Sequence, residues 1–118
     1  MLDTSPLTAA VDRFADRLRA APQSRLRQGA AEAALELARE LSARAQALEG
    51  APAGAEGSAV REMPDEGLFV VGDQVAVAGA DLAEALRGVP AQDGAKAPSE
   101  VLDEAVRLVE RAEATAMR

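Results

Sequence analysis

Carboxylates are the side chains in this sequence with the chemistry for acid–base catalysis or metal binding. The chain has no His and no Cys, which removes the common nucleophile–base triads and thiolate metal sites. A zinc site would have to be built from carboxylates alone, an unusual donor set. Asp65-Glu66, Asp73 and Asp81 are candidate acids for such work. Each has a structural explanation. Asp73 suits a tight turn after Gly72, Asp81 suits a helix cap, and Asp65-Glu66 suits a loop ahead of a strand. Gly72 and Gly79 do not make a dinucleotide-binding glycine pattern, and no phosphate-loop or EF-hand spacing is present. No catalytic residue, metal ligand or cofactor is assigned.

The second group with chemical reach is basic. Arg13, Arg17, Arg19, Arg25 and Arg27 cluster near the start of the chain, offset by Asp12 and Asp16. This cluster, Arg13 and Arg17 included, could contact an acidic protein surface, such as the acidic half of a second copy. The net charge of −7 lies wholly in the second part of the chain. Residues 1–49 balance seven Arg against seven acids; residues 50–118 set six basic residues against 13 acids. No basic stripe of the kind that nucleic acid requires is present, and an acidic chain is repelled by anionic membranes. Nucleic acid and membrane are therefore not expected as partners.

The elements that would position these groups are mostly helical. Leu, Val and Phe number 13, 10 and 2, and there is no Ile. Alanine dominates the remaining apolar residues, favouring helix while burying little area per residue. Missing Asn, Ile and Tyr beside abundant Ala and Arg points to GC-rich coding. Leu7, Val11, Phe14, Leu18 and Ala21 form one stripe on a helix over about 5–21, with Ser5 as cap and Pro22 as stop. Leu26, Ala30, Ala34, Leu37, Leu41 and Ala45 form another on a long helix over about 24–49. Leu35 points away from that stripe and is free to touch a second subunit. A Gly- and Pro-rich stretch, 50–67, reads as a flexible linker. A short helix over about 81–87 and a final helix over about 99–116, capped by Ser99, complete the series.

One stretch breaks the helical pattern. Leu68-Phe69-Val70-Val71 and Gln74-Val75-Ala76-Val77-Ala78 flank Gly72-Asp73, and two such runs around a Gly-led pair predict a β-hairpin at 68–78 with a type II′ turn. One face would carry Leu68, Val70, Val75 and Val77, and the other Phe69, Val71, Gln74, Ala76 and Ala78. The expected fold is mainly α, in the α+β class: a single domain of three to four helices with one β-hairpin.

The expected function is that of a non-enzymatic protein-interaction or regulatory protein, a homodimer or the partner of another protein. Phe69, Val71, Leu35, Arg13 and Arg17 are the candidate interaction residues. The alternative is a small-molecule-binding protein, or an enzyme with an unfamiliar site, using a pocket between the hairpin and the helices. No run reaches the ~20 apolar residues of a membrane span, and a cytoplasmic location is the expectation.

Overall fold

The computed structural model describes residues 2–49, 63–89 and 97–118. Four helices of 16 to 19 residues build the bundle: α1 (Ser5–Ala20), α2 (Ala31–Leu48), α3 (Val71–Gly88) and α4 (Pro98–Ala116). A one-turn segment (Gln23–Arg25) and a widened turn (Leu26–Ala30) lead into α2, and a 3₁₀ turn (Leu68–Val70) leads into α3. The linker expected at 50–67 lies outside the described residues up to position 62.

The β-hairpin expected at 68–78 does not form, and no strand exists among the described residues. The fold is all-α. Helix α3 takes up most of the hairpin and the whole of the short helix expected at 81–87. The reason is a competing period. Val71, Val75, Ala78, Leu82 and Leu86 are all buried, at spacings of four, three, four and four, which is a helical stripe. Gly72 is no turn residue. Asp73 stands in the first turn of α3, where an acid complements the helix dipole. Asp81 and Glu84 are mid-helix and exposed rather than a cap pair.

Contacts at the helix ends fix the topology. Arg19 at the end of α1 bonds Asp73 at the start of α3, and Arg87 at the end of α3 bonds Thr4 ahead of α1. These helices are antiparallel. Arg44 bonds Glu104, and Arg25 bonds the carbonyl of Arg118, so α2 and α4 are antiparallel too. Since α2 begins where α1 ends, α2 and α3 run the same way. The order is up, down, down, up, with one long connection between α2 and α3. Helices α3 and α4 each pack on both α1 and α2.

One contiguous core joins all four helices, including Leu7, Val11, Phe14 and Leu18 of α1, Leu37 and Leu41 of α2, Val75, Leu82 and Leu86 of α3, and Val109 of α4. Full burial of side chains of this size contributes about 1.5–3 kcal/mol each. The α1–α3 seam depends on missing side chains. A Cβ at Gly79 would lie 2.6 and 2.7 Å from the two Val11 methyl carbons, and one at Gly72 would lie 3.1 Å from the Ala15 carbonyl oxygen.

Local signals were partly displaced. Ser5 is the first helical residue of α1 rather than its cap, and Asp3 Oδ1 accepts its N–H at 2.9 Å. The Ser5 side chain, and after it that backbone bond, lower the Asp3 pKa. Ser99 lies inside α4, whose start is marked by Ala97, with the Glu100 carboxylate accepting the Ala97 N–H. The long helix expected at 24–49 is broken at Gly29, which has φ 125° and ψ −14°. A Cβ there would meet nothing within 4 Å, so only backbone conformation resists a side chain. Gly29→Ala is expected to lower stability by about 1–2 kcal/mol, read as an earlier urea midpoint at unchanged m-value.

Candidate interaction surface

Helix α3 is apolar on more than its core side, and this sets out the main candidate surface. Phe69 is 77% exposed and Val77 is 54% exposed. Ala80 is exposed and Ala76 half-buried. Ala76, Val77 and Ala80 fall on the outer side of α3, and Phe69 precedes that helix in the 3₁₀ turn. Asp73 stands beside this strip, and its Oδ1 accepts bonds from Arg19 at 2.7 and 3.1 Å. The pair raises the Arg19 pKa, and the small Ala76 and Ala80 on either side of Val77 leave room for another helix to come close.

A groove of about 650 Å³ lies where α2 meets the start of α3. Leu26, Ala31, Leu35, Leu68 and Val71 supply its apolar lining, and Arg27, Glu32, Glu36, Arg39 and Asp65 its charges. One wall is a strap formed by residues 63–68. Arg39 Nε donates to the Met63 carbonyl at 2.8 Å, and Gln74 Nε2 donates to the Pro64 carbonyl at 2.7 Å. Met63 and Leu68 are half-buried against the core.

The sequence-derived candidates fall in three places. Phe69 is exposed, as an interaction residue must be. Val71 and Leu35 are not: they are 3% and 9% exposed and line the groove. Leu35 is buried yet stands apart from the contiguous core. Arg13 and Arg17 serve the fold. Arg13 Nε lies 3.3 Å from Glu113 Oε1, and Arg17 Nη1 lies 3.0 Å from Glu113 Oε2. Glu113 is itself buried at 7% exposure, and the two half-exposed guanidiniums join α1 to α4 through it. Arg44 bridges Glu40 and Glu104 in the same manner between α2 and α4. Partial burial disfavours the Arg44 charge, yet the two acids outweigh it and raise the pKa.

Glu113, Val77 and Gln74 were not singled out as site residues from the sequence. Glu113 stands four residues after Val109 and three before Ala116, inside the apolar stripe of α4. An acid in such a stripe signals a buried partner, which Arg13 and Arg17 provide. Val77 was assigned to a buried strand face, and only the helical period turns it outwards. Among the described residues no cluster of three His, Cys, Asp or Glu could hold a metal ion. No described helix is long and apolar enough to cross a membrane. Compared with protein-family models, curated proteins and solved structures, the chain matches none.

Proposed function

We propose that this protein is a non-enzymatic interaction module of the cytoplasm that associates with a second copy of itself through the outer strip of α3. The observation that carries this reading is the pairing of Phe69 and Val77, the two large hydrophobic side chains exposed among the described residues. An exposed Phe69 at the entry to α3 and an exposed Val77 flanked by Ala76 and Ala80 on that helix offer apolar surface that a partner helix would cover. The thin supply of Leu, Val and Phe supports the same reading, since association adds burial that a modest core lacks.

Light scattering on sized fractions tests it. The wild-type chain is expected to show twice the monomer mass, and Phe69→Glu to reduce that mass to the monomer without loss of helicity. A wild-type monomer at every concentration up to the millimolar range would dispose of self-association. The groove at Leu35, Leu68 and Val71 supports a second reading, small-molecule binding. A saturable thermal shift with a metabolite at unchanged oligomeric mass would favour it.

A further inference from the structure

We propose that the strap at 63–68 is a latch that opens as a unit while the helices stay folded, uncovering Leu35 and Val71 beside Phe69. Its purpose rests on the interaction reading above, since the uncovered residues would extend the apolar surface that begins at Phe69. Its mechanics do not.

The strap is fastened almost wholly by side chains. Among the described residues, no backbone-to-backbone bond joins 63–66 to a helix. Among the described residues, the fastenings to the helices include the Arg39 bond to the Met63 carbonyl, the Gln74 bond to the Pro64 carbonyl, and the packing of Met63 and Leu68. The Gly67 N–H is used locally, donating to Asp65 Oδ1 at 3.0 Å, and Pro64, Asp65, Glu66 and Gly67 are exposed. A segment with so few buried contacts sits at the low end of local stability.

Two further features favour opening. Gln74 fastens the strap through its nitrogen while its Oε1 is buried without a partner among the described residues. Opening would let water reach that oxygen, so closure carries a standing penalty. Gly67, with φ +99°, provides the pivot just before the 3₁₀ turn. Asp65, Gly67 and Leu68 form one wall of the groove that Leu35 and Val71 line. Moving that wall opens the cleft and exposes an apolar patch at Leu35 and Val71, rimmed by Arg27, Glu32 and Glu36.

Hydrogen–deuterium exchange on the full chain tests the latch. Two variants act on it independently. Arg39→Met with Gln74→Met removes both side-chain bonds at similar volume. Gly67→Ala touches neither, and strains the closed strap because a side chain disfavours φ +99°. Both are expected to speed exchange in a peptide spanning 63–71 by about tenfold, with α1 and α4 unchanged. Exchange at wild-type rates in both variants would overturn the latch. So would acceleration only in step with α1 and α4, which would mean that the strap opens only when the whole protein does. Should the double variant fail to fold, Gly67→Ala carries the test alone. Light scattering on the same wild-type sample separates the two proposals: a monomer whose strap still opens locally keeps the latch and removes self-association.

Discussion

Val75→Asp is expected to unfold this protein, while Val77→Asp leaves it folded. The two valines are two residues apart, and a strand would present them on the same side. In α3 they part company. Val75 is fully buried against the other helices, and Val77 is 54% exposed. Aspartate at position 75 would remove the burial energy of a valine, about 2 kcal/mol. It would also place a carboxylate where no solvent reaches, at a cost of several kcal/mol or a strongly raised pKa. Those penalties together are comparable with the whole stability of a small domain, about 5–15 kcal/mol. Far-ultraviolet circular dichroism at neutral pH reads the outcome directly. Equal loss of helicity in the two variants would rule out the helical register of α3. Val77→Asp has a second expected result, a monomer by light scattering, because it puts charge on the outer strip.

The second large effect concerns Gly79. Substitution by alanine in an isolated helix would favour helix by about 1 kcal/mol. Here the new methyl group would fall within 2.7 Å of both Val11 methyl carbons, well inside van der Waals contact. Val11 is buried with little room to turn, so α1 and α3 must separate. Overpacking of this kind costs about 1–3 kcal/mol. The expected net result is destabilisation by about 1–2 kcal/mol, measured in urea. Combining Gly79→Ala with Val11→Ala should cost less than the sum of the two single changes, since the smaller partner accepts the added methyl. Additive losses would mean that the two residues do not meet.

Three of the four helices were legible in the sequence, and the reason is physical. Leu7, Val11, Phe14 and Leu18 have no second periodicity to compete with the helical one, and α1 begins and ends within a residue of the reading. In α4, Val101, Leu102, Ala105 and Val109 are equally unambiguous. Helix α3 was illegible because its valines satisfy both periods across 68–78, and because Gly72 and Gly79 argue locally against helix. The distinguishing signal lay further along, where Leu82 and Leu86 continue the stripe of Val71, Val75 and Ala78. Those glycines belong to the contact with α1, which no local propensity reports. Tertiary packing thus overrode local preference. Of the candidate surface, Phe69 was named for its place on the less bulky face of the hairpin; the hairpin does not form, and Phe69 is exposed in the turn ahead of α3. Val71 was misplaced because a strand register was given to it, and Leu35 because the buried face of α2 is wider than the stripe and also takes in Ala31, Leu35 and Ala38. Arg13 and Arg17 were legible only as members of a local basic cluster, and Glu113, 100 and 96 residues away, gives them a partner within the same chain.

That distance bears on how the protein is made. Helix α1 is synthesised early, yet its Glu113 clamp and part of its apolar cover arrive only with α4. Until then Leu7, Phe14 and Leu18 lack the complete surroundings that bury them. The parallel pairs α1–α4 and α2–α3 cannot be closed by tight hairpins, so this bundle is dominated by contacts between segments far apart in the chain. Such contacts slow folding relative to a bundle of successive antiparallel neighbours. The nascent chain therefore keeps part of its apolar stripes uncovered until α4 has been made, and the core closes only once that helix is available.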